Sequence, residues 1–208
     1  MLRNPTDRAF SQYQMMADMT GDTLGFVINA LLSSLIHTLL FIVYSLQYAG
    51  SSEEELSWRR QSFYYNRTFD DVIREEIKFL QESGISPTVS DEVWREKVLN
   101  LVPILHGVHS IVARGLYVLQ LRVWLAQWPK DQIRIYTMAE LKGLTNVQHT
   151  MNSVFDYLHL PHHTYTAAEA KNSRKYEPMS ADSRALLDSF YAPYNEALFQ
   201  LLGKNLDW

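Results

Sequence analysis

The 208-residue chain contains no cysteine, which excludes disulfide bridges and thiolate metal sites and leaves the redox compartment open. Positive charge is not in excess either. A formal net charge of −4 at pH 7 argues against general nucleic-acid binding, so any anion site has to be local. The opening residues lack the basic cap and apolar core of a secretory signal and are instead polar and turn-forming. Residues 23–52 lack any charged side chain. What remains is ordinary: 47% hydrophobic and 20% charged residues suit one globular domain able to bury a core.

The uncharged run supports three readings. Residues 26–48 are apolar and long enough, at about 20 residues, for a membrane span. Asn29, Ser33, Ser34, His37 and Thr38 within it suit a helix packed inside protein. Translated non-coding sequence is the third, because Ser, Leu, Phe, Ile, Val and Tyr are what a pyrimidine-rich tract encodes. His37 reads as a packing residue, since no second His, Asp or Glu lies at helical spacing from it.

Beyond residue 51 the pattern is helical and charged. Glu53, Glu54 and Glu55 ahead of Arg59 and Arg60 suit a solvated helix with acids near its N-terminus. Thr68 is placed to cap a helix whose Phe69, Val72, Ile73, Ile77 and Leu80 share one face, with Gly84 ending it. Asn66-Arg67-Thr68 is a glycosylation sequon, a common triplet. A second helix starts at Ser90-Asp91, with Pro103 to end or kink it. Residues 110–125 read as a long amphipathic helix closed by Trp128-Pro129. Residues 132–138 alternate and are β-branched, as a strand should be. Residues 146–158 form another amphipathic helix, with Val147, Met151, Val154, Phe155 and Leu158 apolar and Leu160-Pro161 as its end. Ser180 caps a C-terminal helix whose Leu186, Leu187, Phe190 and Tyr191 are core residues. His106 and His109 have no third ligand in view, and Pro161 breaks any regular ligand spacing among His159, His162 and His163.

One segment carries chemistry. Residues 1–13 read as a strand end, a Pro turn and a helix start. Arg3 then lies at the strand's carboxyl end and Ser11 in the following helix, where a guanidinium fork, a hydroxyl and a helix N-terminus together hold a dianion. The same residues also suit a solvated Arg-rich loop, and the pattern alone does not choose.

The run Leu2-Arg3-Asn4-Pro5-Thr6-Asp7-Arg8-Ala9-Phe10-Ser11-Gln12-Tyr13 resembles the 3′-phosphate-binding segment of the sulfotransferase superfamily, and of the Golgi carbohydrate sulfotransferases acting on heparan and chondroitin sulfate in particular. Lys171-Asn172-Ser173-Arg174-Lys175-Tyr176 is similar to the second cofactor loop of that family, usually Ser-Lys-Gly-Arg-x-Tyr-Pro. Phe190-Tyr191-Ala192-Pro193-Tyr194-Asn195 and Leu202-Gly203-Lys204-Asn205-Leu206-Asp207-Trp208 resemble its closing helix and terminal aromatic. Gly115-Leu116-Tyr117 through Trp124-Leu125 resembles the family's Gly-x-Tyr-x-x-x-Leu-x-x-Trp-Leu segment, near the acceptor cleft, and Glu140 falls where the family has an acid after its last core strand.

The resemblance implies 3′-phosphoadenosine 5′-phosphosulfate as cofactor, with Arg3 and Ser11 on the 3′-phosphate, Arg174 near the phosphates and Tyr176 approaching the nucleotide. Lys171 is displaced by one position from the family's Lys, and Asn172-Ser173 replaces Lys-Gly, which matters if the backbone must come close to a phosphate. Arg114 and Tyr117 are expected to contact an anionic sugar, either as site residues or, in the plainer alternative, as surface charge and half-buried packing. The implied fold is α/β, a P-loop-like sulfotransferase fold with a parallel sheet, its N-terminal part missing and the remainder helix-rich. Residues 1–208 then form a partial domain, with the 5′-phosphosulfate loop and the catalytic base expected upstream in a longer protein. The implied partner is a glycosaminoglycan and no nucleic acid; the implied home is the Golgi lumen, with a type II membrane anchor in the full-length protein only. Spanning by residues 26–48 conflicts with that reading, because it would part Arg3 from Arg174 across a bilayer. The alternatives are a non-catalytic fragment keeping only the 3′-phosphate half of the site, and a small membrane-anchored helical protein.

Overall fold

The computed structural model describes residues 1–21, 67–100, 110–168, 175–206 and 208. The uncharged run at 23–52, the sequon's Asn66, Pro103, His106 and His109 lie outside these residues. The chain divides into two compact units, one of Met1–Arg8, Ser86–Asp91 and Gly115–Trp208, the other of Ala9–Ile85 and Glu92–Arg114. Six α-helices are described: α1 (Pro5–Gly21), α2 (Phe69–Glu82), α3 (Asp91–Asn100), α4 (Tyr117–Leu125), α5 (Leu144–Tyr157) and α6 (Ala181–Leu202). Among the described residues no helix is long and apolar enough to cross a membrane.

In the second unit, α2 is built as its sequence dictates. Thr68 accepts from the Asp71 amide at 3.2 Å while the Asp71 carboxylate accepts from the Thr68 N–H at 3.3 Å, a reciprocal capping box that satisfies two end groups. Phe69, Val72, Ile73, Ile77 and Leu80 are all buried, and the helix closes at Ser83, just before Gly84. Phe69 packs against Phe10 and Tyr13 of α1, with ring centroids 4.9 Å and 5.1 Å apart. Tyr13 donates to the Arg67 carbonyl at 2.7 Å. Glu76 is also on the buried face of α2, where its carboxylate accepts the Ala113 amide at 2.8 Å.

The first unit is organised by α6, which packs on α4. Leu187, Tyr191, Tyr194 and Leu198 of α6 are buried, as are Tyr117, Val118 and Leu119 of α4. Each such side chain contributes roughly 1.5–3 kcal/mol by leaving water. Ser180 accepts from the Ser183 amide at 3.1 Å to start α6, and Gly203, in the left-handed region at φ 66°, ends it where a side chain would be strained.

Two expectations are corrected. The helix expected over 110–125 starts only at Tyr117, after a 3-10 turn at Ala113–Gly115. Gly115 is the cause: a Cβ there would stand 2.7 Å from the Tyr191 ring and 2.8 Å from Pro5 Cβ, so the backbone is pressed against both and leaves the helical path. The strand expected over 132–138 is a single parallel bridge, Leu2 with Thr137. Leu2 N–H donates to the Tyr136 carbonyl and Met138 N–H to the Leu2 carbonyl, both at 2.7 Å. A strand needs partners along its length, and among the described residues only Leu2 stands opposite this segment. Among the described residues the architecture is therefore helix-rich, with one parallel contact where the α/β reading expects a parallel sheet.

Candidate functional site

In the first unit the residues on either side of Arg3 are fixed one by one. Leu2 is held by the bridge to residues 136–138. Asn4 caps α1, its Oδ1 accepting the Thr6 amide at 2.9 Å and the Asp7 amide at 3.2 Å, with Pro5 at the first helical position, where a missing N–H costs nothing. Thr6 donates to Asp188 at 2.6 Å, and Arg184 donates to Asp7 at 2.9 Å, tying this first turn to α6. Pro5 lies against the bare backbone of Gly115. Arg3 is half-buried on this scaffold, and among the described residues no carboxylate pairs with it. A guanidinium carried on a held backbone and not paired with a described carboxylate suits a phosphate, to which it donates as a planar fork.

Tyr117 stands behind this arm. It is 8% exposed and lies close enough to the Arg3 backbone and to Arg8 to feel both residues. Burial pushes the phenol above its ordinary value of 10.0, and this outweighs the lowering by Arg8 and by Arg3, so Tyr117 is neutral at physiological pH. Its ring faces Trp208 at 6.3 Å, and Trp208 in turn lies 6.2 Å from Phe199 of α6.

Beside the bridge, at the carboxyl end of the paired segments, opens a cleft of about 440 Å³ lined by Tyr136, Thr137, Glu140, His149, Ser153 and Lys204 among others. Glu140 organises this cleft. Its carboxylate accepts the Thr137 amide at 2.5 Å, the Thr137 hydroxyl at 2.9 Å and Lys204 at 3.2 Å, while its carbonyl accepts the Thr150 hydroxyl of α5 at 2.7 Å. Burial raises its pKa, but these donors together outweigh it and leave the carboxyl below the ordinary 4.5. The stabilisation is thus fully present above that value and is lost as pH falls through the depressed one. Glu140→Gln is expected to melt below the parent protein at pH 7, with the difference shrinking as pH falls below the ordinary carboxyl range, in thermal melts followed by circular dichroism. A difference that stays constant with pH would contradict the assignment.

Against known proteins, the chain is 25% identical to the membrane-associated sulfotransferase kil1 of Dictyostelium discoideum over 103 residues, half of this chain and 21% of that protein. It is 26% identical to human carbohydrate sulfotransferase 15 over 145 residues, 64% of this chain and 24% of that protein. It is also 26% identical to the human bifunctional heparan sulfate N-deacetylase/N-sulfotransferase 3 over 176 residues, 74% of this chain and 18% of that protein. The chain is similar to carbohydrate sulfotransferases. It spans about a fifth to a quarter of the length of these relatives. No family model and no solved structure matches.

Of the residues that the likeness to carbohydrate sulfotransferases singles out, Arg3, Tyr117 and Tyr176 belong to the first unit, Ser11 and Arg114 to the second. Arg3 and Tyr117 are brought together. Ser11 is half-buried on α1, Arg114 is exposed beside Gly115, and Tyr176 is exposed. Lys171 and Arg174 lie outside the described residues. His159, His162 and His163 are exposed, His162 paired with Asp156 at 2.7 Å, and among the described residues no group of three His, Asp or Glu is placed to hold a metal. Sequence reasoning missed Asn4, Arg8 and Gly115. Asn4 was detectable, because Asn before Pro at a helix start is a capping signal. The proximity of Arg8 to Tyr117 has no local signature, since it depends on residues more than a hundred positions apart.

Proposed function

We propose that this chain forms part of a sulfotransferase that moves a sulfuryl group from 3′-phosphoadenosine 5′-phosphosulfate to a hydroxyl of a carbohydrate, a glycosaminoglycan in the first instance. The observation that carries the reading is the Arg3 arm: an arginine between the bridged Leu2 and a capped helix start, on a sequence similar to carbohydrate sulfotransferases. A 3′-phosphate is a dianion that asks for a fork of N–H groups, a hydroxyl and further positive charge, which the likeness assigns to Arg3, Ser11 and the second loop. Arg3 and Ser11 hold that phosphate; Lys171, Arg174 and Tyr176 serve the nucleotide from the second loop; Arg114 faces the anionic sugar, a role extended to Tyr117 by the same likeness.

Sulfuryl transfer between two oxygens calls for positioning of both, a base for the acceptor hydroxyl and cationic charge towards the leaving phosphate. The bound nucleotide supplies the activated sulfuryl group. This chain's share is to grip the 3′-phosphate and so fix where the nucleotide sits. Golgi-lumenal residence with a type II anchor in the full-length protein follows the same likeness.

Isothermal titration calorimetry of the 208-residue chain with adenosine 3′,5′-bisphosphate and with adenosine 5′-phosphate tests the reading. The bisphosphate is expected to bind more tightly, because only it carries the group Arg3 and Ser11 recognise. Equal affinity for the two nucleotides would remove the assignment.

A further inference from the structure

We propose that the cleft beside the bridge is a sugar-binding subsite, which takes an uncharged, hydroxyl-rich ring against α5 and the tail that follows α6. The choice of a sugar as ligand rests on the function proposed above; the cleft itself belongs wholly to the first unit.

Three short stretches build its walls. Asn146, His149, Thr150 and Ser153 of α5 lie at three- and four-residue spacing, so they form one stripe of the helix, and that stripe lines the cleft. Tyr136 and Glu140 line it from the bridged segment and the turn after it, and Lys204 and Leu206 from the tail just past Gly203. One residue ties the three together. The Glu140 carbonyl accepts the Thr150 hydroxyl at 2.7 Å, while its carboxylate accepts Lys204 at 3.2 Å. At about 440 Å³ the space lies within the roughly 300–1,000 Å³ usual for small-molecule sites, enough for about one or two sugar rings.

The polar groups that Glu140 does not use are of mixed kind. Asn146 and His149 are exposed and have no hydrogen-bonded side-chain partner among the described residues, and Ser153 has only a 3.3 Å contact with the Tyr136 hydroxyl. An amide, a hydroxyl and a neutral imidazole each donate and accept, which matches a sugar hydroxyl, itself both donor and acceptor. A phosphate or sulfate asks for something else. Lys204 is the one lysine or arginine lining the cleft, and the Glu140 carboxylate offsets its charge, so no uncompensated Lys or Arg awaits an anion there. Tyr136, Ala139 and Leu206 add apolar surface suited to the C–H face of a ring.

Amide-detected NMR of the full chain, titrated with N,N′-diacetylchitobiose, tests the subsite. The disaccharide is expected to shift the amides of residues 146–153 and 204–206, with a dissociation constant on the order of 1 mM, the strength of a few neutral hydrogen bonds less the cost of ordering the ligand. His149→Ala and Ser153→Ala, both at exposed positions, are each expected to weaken binding roughly two- to tenfold. Ser153→Trp fills the cleft from the surface and should abolish the shifts while the melting temperature stays in place. Unchanged binding in all three variants overturns the inference, as do shifts confined to other residues. The same shifts on adding sodium sulfate would mark an anion site instead, and displacement of the disaccharide by adenosine 3′,5′-bisphosphate would give the cleft to the nucleotide; either result overturns it too. If the bisphosphate is preferred over adenosine 5′-phosphate and the disaccharide fails to bind, only the subsite is lost. If the two nucleotides bind equally and the disaccharide still shifts these amides, the subsite stands and the sulfotransferase reading falls.

Discussion

Arg3→Ala is expected to weaken binding of adenosine 3′,5′-bisphosphate by roughly 10- to 100-fold, because one charge-assisted contact is worth about 1.5–3 kcal/mol and each 1.4 kcal/mol is a factor of ten. Adenosine 5′-phosphate should be unaffected. The selectivity follows from the geometry of the arm. Leu2, Asn4, Pro5 and Thr6 are each held by a separate contact, so removing the guanidinium leaves the backbone in place and subtracts only the phosphate donor. Arg3→Lys separates charge from shape: an ammonium keeps the attraction but not the fork, and an intermediate loss is expected. The affinity should also fall with added salt, more steeply for the parent than for Arg3→Ala, because screening acts on the charge that the variant lacks. Unchanged dissociation constants in Arg3→Ala would sink the assignment of this segment to phosphate.

The second large effect is on stability. Tyr191 is fully buried in α6, its ring lying against the backbone of Gly115. Tyr191→Ala should therefore cost about 3–5 kcal/mol, the range for emptying a buried aromatic site, and lower the melting temperature by on the order of 10 °C. Gly115→Ala acts on the same contact from the other side. Its new Cβ would stand 2.7 Å from the Tyr191 ring and 2.8 Å from Pro5 Cβ, and because Pro5 is ring-locked and the tyrosine is enclosed, neither gives way easily. About 1–3 kcal/mol is expected from the overpacking. Together the two substitutions should cost less than their sum, since truncating the ring makes room for the methyl group. Thermal melts of the two single variants and the double variant measure this. Additive losses would mean that Gly115 and Tyr191 do not press on each other as the structure has them.

Helix α2 was legible in the chain because its determinants are local. Thr68, Asp71 and five apolar residues at three- and four-residue spacing fix its start and its buried face, and all of them act within four turns of backbone. Ser180 and the apolar residues of α6 were legible for the same reason. The segment at 110–125 was misread as one helix because its composition is helical throughout. What breaks it is the close approach of Pro5 and Tyr191 to Gly115, and neither residue is near in sequence. The strand at 132–138 has the right alternation, but alternation says only that a segment suits a sheet. How much of it pairs depends on what stands opposite, and among the described residues that is Leu2 alone.

The site divides along the same line. The run from Leu2 to Tyr13 disclosed a strand end, a Pro turn, a helix start and a cation, because turn chemistry and capping are written in neighbouring residues. It said nothing of Tyr117 behind Arg3, of Arg8 beside them, or of Trp208 and Phe199 in support. Sequence alone settled which short segments coil, turn and cap, and which residues carry charge suited to a phosphate. Only the tertiary structure decided what the backbone around those charges rests on, since the bridge partner of Leu2 and a bare glycine backbone reach the amino-terminal arm through packing, whose partners are chosen by the whole folded chain.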